Sequence, residues 1–324
     1  MQTRKMFGIQ SICNKQLGDK SNNNISGSGV GVSMMLQRRK MNITNNDDCI
    51  TIPLSSFTTV VGNIYTLSRN FTISNCYNII VEDGFTLNIP DTMILTNNGT
   101  ITINGTMNTR IGGIVNNGVI TGNSITIPLE TFTILTIQQK VYALLNDFEI
   151  PDGYNIIVKD GFTLSIQPDV TLTNNGTITN NGAINSRVDG IVNVNNGVIT
   201  GNSITIPLYS FTTVSGNNIY TLSTNFVIPV GYRTFILGVN RLVILDNITL
   251  TNNGRIVNNS EIENDEIIVN NGTIANNGTI ENDGTIENYG TIANNGTIEN
   301  NGIINSKTAI TGTITGTGEL NIIE

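Results

Sequence analysis

Residues 271–300 read NGTIANNGTIENDGTIENYGTIANNGTIEN. An aliphatic residue recurs every six positions, and the phase runs outward on both sides through Ile244, Leu250, Ile256, Ile262, Ile268, Ile274, Ile280, Ile286, Ile292, Ile298, Ile304 and Ile310. Six is a multiple of the two-residue strand period, so every one of these side chains can face the same side of a strand. On a helix, six steps of about 100° would carry the side chain to the opposite face. The stretch is therefore predicted to form short strands separated by turns, wound as a β-solenoid. In a hexad such as 276–281, Asn276-Asn277-Gly278 is predicted to turn the corner with residues that tolerate positive φ. Thr279-Ile280-Glu281 is predicted to be a strand with Ile inward and Thr and Glu outward, and Gly278, two before Ile280, to tend inward. Three-residue arms are too short to hold an antiparallel meander together. Winding instead lets each strand pair in parallel with its copy in the next coil, and it stacks Asn on Asn so that their amides exchange hydrogen bonds. Ser260 and Glu266 replace Gly in two hexads while the Ile phase holds, so the inward position is the more constrained one.

Upstream, three tandem units open with ITIPLSSFTTV at Ile50, ITIPLETFTIL at Ile125 and ITIPLYSFTTV at Ile204. Their aromatics keep step: Phe57, Tyr65, Phe71 and Tyr77; Phe132, Tyr142, Phe148 and Tyr154; Phe211, Tyr220, Phe226 and Tyr232. Aromatics that recur in this way are expected to fill the coil and to stack from one equivalent position to the next along its axis. Units one and two share IIVEDGFTL and IIVKDGFTL, whereas unit three departs with Arg233-Thr-Phe-Ile-Leu-Gly-Val-Asn. The predicted organisation is a flexible basic head or docking segment over residues 1–46 and solenoid units over 47–124, 125–203 and 204–324. The last unit carries the hexapeptide array and a C-terminal cap. The fold class is thus all-β, a parallel β-helix or β-solenoid of three tandem units of 75–79 residues plus the array.

Read from Ile274, the array resembles the hexapeptide repeat of left-handed β-helix proteins: Ile274-Ala-Asn-Asn-Gly-Thr and Ile280-Glu-Asn-Asp-Gly-Thr fit its aliphatic-first pattern over about residues 244–310. The resemblance implies that three hexads make one triangular coil. The family's usual Gly after the aliphatic residue is Ala or Glu here, and its acyltransferases use a catalytic His that this chain lacks, so their activity does not carry over. The Asn/Ile/Thr/Gly texture is also similar to repeat proteins of giant DNA viruses and to bacterial adhesin solenoids.

Composition excludes several chemistries. There is no His and no Trp among the 324 residues, which rules out His-based nucleophile pairs and His-ligated metals. Residues 1–46 hold seven Lys and Arg against Asp19 alone, a net of +6, and the remainder carries nine basic and 23 acidic residues, a net of −14; together these give the chain's −8. An acidic body repels nucleic acid. Cys13, Cys49 and Cys76 make no disulfide framework by count or spacing and suggest a reducing compartment; the chain also shows no signal-peptide run and no membrane span.

Glu82, Asp83, Lys159 and Asp160 are the candidates for a carboxylate-based polysaccharide lyase or glycosidase, although Asp83-Gly84 and Asp160-Gly161 read more simply as turns. Glu261, Glu263, Asp265 and Glu266 could hold Ca²⁺, with a solvated acidic face the plainer reading. Asn98, Asn175 and Asn277 stand in Asn-Gly-Thr triplets that a secreted protein could glycosylate. No catalytic, cofactor or metal residue is assigned. The expected function is a non-enzymatic structural or interaction protein, a virion surface fibre, spike or capsid-associated solenoid. It would form a homo-oligomer such as a trimer and meet other particle or surface proteins through residues 1–46. An adhesin-like solenoid at a cell surface, with a glycan receptor, and a β-helix carbohydrate enzyme are the alternatives.

Overall fold

The computed structural model describes residues 50–193, 197–216 and 218–324, so the predicted head, residues 1–46, lies outside the described residues. The fold is an all-β parallel β-solenoid. Among the described residues its strands are interrupted by three short 3-10 turns, Leu54–Ser56, Leu129–Thr131 and Leu208–Ser210, one in each ITIPL opening. The chain divides into two compact units, one running to Met107 together with Gly112–Asn123, the other comprising Asn108–Ile111 and Ser124–Glu324.

In the first unit Tyr77–Val81, Thr100–Ile103 and Val119–Gly122 pair in parallel, as do Phe71–Ile73, Leu95–Asn97 and Ile114–Asn116. Ile79 lies over Ile101, and both are fully buried. The second unit repeats the plan with Tyr154–Val158, Thr177–Asn180 and Val198–Gly201 before entering the array.

The array is three-sided. Arg255–Asn258, Thr273–Asn276 and Thr291–Asn294 stack on one side; Glu261–Asn264, Thr279–Asn282 and Thr297–Asn300 on the second; Ile267–Asn270, Thr285–Asn288 and Ile303–Ser306 on the third. Neighbouring coils are 18 residues apart, which is three hexads per coil. Ile256 through Ile304 are buried, each contributing roughly 1.5–3 kcal/mol of apolar burial.

Beside each Ile an asparagine also points inward. Asn252 donates through Nδ2 to Asn270 Oδ1 (2.7 Å), Asn270 to Asn288, and Asn288 to Ser306 Oγ. Parallel columns run Asn258–Asn276–Asn294 and Asn264–Asn282–Asn300. The second Nδ2 proton goes to a carbonyl one corner further on, as from Asn258 to Thr279 O at 2.8 Å. Asn is suited to this place because its amide offers two donors and an acceptor, so a fully buried side chain can bond in both directions along the stack. The next residue in each hexad faces outward and builds a second ladder: Asn277 donates to Asn259 and Asn295 to Asn277.

Four expectations are corrected. First, no residue between Leu250 and Ile310 has positive φ, so the Asn-Asn-Gly corner does not depend on left-handed backbone. Second, Gly278 does not point inward: a Cβ built there would lie 2.1 Å from the carbonyl oxygen of Ser260 in the coil before. The glycine is required by close approach between coils, and Ser260 and Glu266 belong to the first array coil, beneath those glycines. Third, the units contain antiparallel hairpins, Thr58–Val61 with Ile64–Leu67, Ile134–Thr136 with Val141–Leu144, and Thr213–Ser215 with Ile219–Leu222. Fourth, the aromatics stack within a unit rather than from unit to unit. Phe57 lies on Phe71 (4.0 Å between centroids), Phe132 on Phe148 (3.8 Å) and Phe211 on Phe226 (4.2 Å), all nearly parallel. Each stack joins the residue after the 3-10 turn to the strand that follows the hairpin, closing the excursion. In addition, Cys76 is disulfide-bonded, against the expectation that the cysteines make no disulfide framework.

Candidate functional site

Because every second residue of an array strand faces out, each side of the solenoid displays two rows of outward residues about 4.8 Å apart from coil to coil. On the side that begins with Tyr232–Ile236, one row is Arg233, Arg255, Thr273 and Thr291, and the other is Phe235, Val257, Ala275 and Ala293. On the second side, Arg241, Glu261, Thr279 and Thr297 lie beside Val243, Glu263, Glu281 and Glu299. The third side shows Thr251, Val269, Glu287 and Asn305. The same backbone thus carries a basic, an acidic and a mixed face.

On the acidic face, Glu263, Glu281 and Glu299 stand directly above one another, an unfavourable like-charge column. Arg241 offsets its lower end, approaching Glu261 (2.8 Å through Nε), Glu263 (2.8 Å through Nη2) and Glu281 (3.4 Å). The Glu261 approach is off the N–H axis and acts as a charge contact. Burial raises Glu263 above the ordinary carboxylate range; Arg241 opposes this, while Asp265, Glu281 and Glu261 add to it. Asp265 is raised first by burial and then by Asp283 and Asp246, with Arg241 pulling the other way.

Of the cluster weighed for Ca²⁺, Glu261 and Glu263 are thus drawn to a guanidinium rather than wholly solvated. Among the described residues no group of three or more Cys, Asp or Glu side chains has a geometry for a metal ion.

Glu82 and Asp83 occupy an exposed turn closed by Phe85 N to Glu82 O, and Lys159 and Asp160 occupy the equivalent turn closed by Phe162 N to Lys159 O. Gly84 and Gly161 complete those turns at φ 78 and 75. Each pair therefore does the same turn-forming work in its own unit. Of the glycosylation triplets, Asn98 accepts from Asn117, Asn175 donates to Glu149 (2.6 Å), and Asn277 belongs to the outer ladder.

Two shallow clefts lie in the second unit. One, of about 210 Å³, is lined by Ile166, Pro168, Arg187, Pro207 and Tyr209; the other, of about 250 Å³, lies between Ile199–Ile204 and Val230–Tyr232. Arg187 is held by Asp189 (2.6 Å) and Asp169 (3.4 Å), so its charge is balanced within the protein. Both clefts fall below the roughly 300–1,000 Å³ of small-molecule sites.

The basic face was not anticipated. Its signal lay in the third unit's departure from its sisters: Arg233 replaces Asn78 and Asn155, Phe235 replaces Ile80 and Ile157, and Arg255 replaces Thr100 and Thr177. Among the described residues no helix is long and apolar enough to cross a membrane. No protein-family model, curated protein or solved structure matches this chain.

Proposed function

We propose that this chain is a non-catalytic structural and interaction protein, a solenoid that presents regular outward rows to partners, in the manner of a virion surface fibre, spike or capsid-associated component. The observation that carries the reading is where the polar groups go. In the array, the buried asparagines bond coil to coil, and Arg241 binds its own carboxylates. Polar side chains committed to holding the coils together are those of a scaffold. The carboxylates weighed for catalysis sit in equivalent turns, where one unit duplicates the other. Residues 1–46, with seven basic groups against one acid, supply an anchor of opposite charge to the body.

Two measurements test this. Mass spectrometry of purified particles from the source should find the chain in stoichiometric amounts, and sedimentation should give a homo-oligomer, with a trimer the expected state. Release of reducing or unsaturated sugar ends from acidic polysaccharides, lost on Glu82→Gln or Asp83→Asn, would favour the lyase or glycosidase reading instead. The adhesin-like reading draws on one specific feature, the arginine pair of the basic face.

A further inference from the structure

On the outer surface of the second unit, Arg233 and Arg255 occupy the same row of adjacent parallel strands. Two guanidinium groups one strand spacing apart repel each other. Arg233 is also partly buried, and its pKa is lowered first by that burial and then by Arg255. Among the described residues neither side chain meets a carboxylate, although the body is strongly acidic. Arg187 and Arg241, by contrast, are both ion-paired. The fold therefore retains an uncompensated positive pair in one place.

The surroundings orient that pair. The guanidinium carbon of Arg233 lies 4.9 Å from the ring centre of Phe235, two residues along on the same face. Its Nε donates to Thr205 Oγ1 at 3.2 Å. Thr273 and Thr291 continue the arginine row with hydroxyls, and Val257 continues the Phe235 row. Planar guanidinium forks match carboxylate or sulfate oxygens, hydroxyls suit sugar hydroxyls, and an aromatic ring packs against the apolar face of a pyranose. The pattern is also unique: the sister units carry Asn, Ile and Thr at these positions, which a packing requirement alone would satisfy.

We infer that the outer face formed by Arg233, Phe235 and Arg255 is a binding site for an acidic polysaccharide, a sugar chain bearing carboxylate or sulfate groups that runs across the strands. Its charged groups would meet successive arginines, and its rings would lie along Phe235 and Val257. A second copy of this chain fits less well. Set level beside the first, with its acidic face toward this one, it would place Arg241 opposite Arg233. It would also offer Arg255 the carboxylates Glu261 and Glu263, which Arg241 already holds.

The test uses the full-length chain and three polymers: polygalacturonate for carboxylate, dextran sulfate for sulfate, and neutral dextran. Calorimetric titration in low salt should show binding to at least one acidic polymer and none to dextran. The variant Arg233→Asn/Arg255→Thr takes the residues of the sister units. It should weaken that binding at least tenfold and make it less sensitive to salt. The charge-matched control Arg69→Thr/Lys159→Gln should leave binding within twofold of wild type, which separates the face from the general attraction of residues 1–46. Should the double variant lose its far-UV spectrum, Arg255→Thr alone, at an exposed position, is expected to give at least a threefold loss. Equal binding by wild type and double variant, equal binding of dextran, or no binding of either acidic polymer would each overturn the proposal. So would a double variant whose sedimentation changes while polymer binding does not, which would make the face a contact between copies.

Discussion

The array from Thr249 to Ser306 and the aromatic stretch from Ser124 to Ile236 lie in the same compact unit and are wound in parallel, yet different interactions hold them. In the array, contacts between coils are 18 residues apart and each coil repeats the last. In the aromatic stretch the equivalent bonds span 22, 24 or 28 residues, because hairpins and longer turns are inserted. Stacked phenylalanines close those insertions, and Gly153, Gly161, Gly216 and Gly231 sit in turns at positive φ with open space around them. A minimal coil thus needs glycine for close approach at its corners, whereas a longer coil keeps such places, as at Gly176, Gly182 and Gly197 and at the buried Asn174 and Asn180, and adds glycines that serve only a local turn.

The largest effect that follows concerns the buried ladder. In Asn282→Asp a carboxylate would face two acceptors, Asn300 Oδ1 and Ile303 O, where Nδ2 now donates. A buried charge set against those acceptors, with Asn264 Nδ2 as its side-chain donor, should cost about 3–5 kcal/mol. Asn277→Asp, on the outer ladder, should change stability by about 0.5 kcal/mol or less. Urea unfolding of both variants decides whether the inner and outer columns differ; equal losses would break the distinction.

Glycine supplies the next contrast. Gly278→Ala puts a methyl group 2.1 Å from Ser260 O, and the displaced backbone should cost about 2–3 kcal/mol. Gly161→Ala meets no atom within 4 Å and suffers only the strain of its φ of 75, about 1–2 kcal/mol. Phe148→Leu, which removes one half of a ring stack, should follow at about 1–1.5 kcal/mol. If Gly161→Ala proves the worse of the two glycine variants, the array glycines are corner residues after all.

The column of isoleucines and the outward Thr and Glu were legible in the sequence because strand geometry has a period of two, and nothing in the fold competes with it. Which asparagine of Asn276-Asn277 turns inward was not legible, since both have the same side chain and only the phase of the finished corner separates them. Gly278 was misread for a related reason: turn propensity is local, whereas the contact that demands glycine comes from Ser260, a full coil away. Arg241 and its glutamates could be matched only once the coil length was known. The Arg233–Phe235–Arg255 face was visible as a departure from the repeat, but its meaning depended on knowing that positions two apart share an outer face. Proximity between coils, rather than chain-local pattern, is what the linear text conceals.

The smallest effect belongs to the acidic face and carries the least familiar sign. Glu263 and Asp265 are raised above their ordinary values of 4.5 and 3.8, chiefly by burial. A carboxyl group raised by folding binds its proton more tightly in the folded chain, so its stabilising contribution is complete below the unfolded value and is lost as pH rises through the folded one. The array should therefore melt higher near pH 5 than at pH 7, by less than about 1 kcal/mol after solvent screening at these half-exposed groups. Glu263→Gln should flatten this dependence and raise Tm at pH 7, because it removes a desolvated charge from the glutamate column and leaves Arg241 its contacts to Glu261 and Glu281. A wild-type Tm that falls steadily from pH 7 to pH 5, or a variant that keeps the full slope, would mean that Arg241 outweighs burial and that this face, like the asparagine columns, is a net contributor to the array at neutral pH.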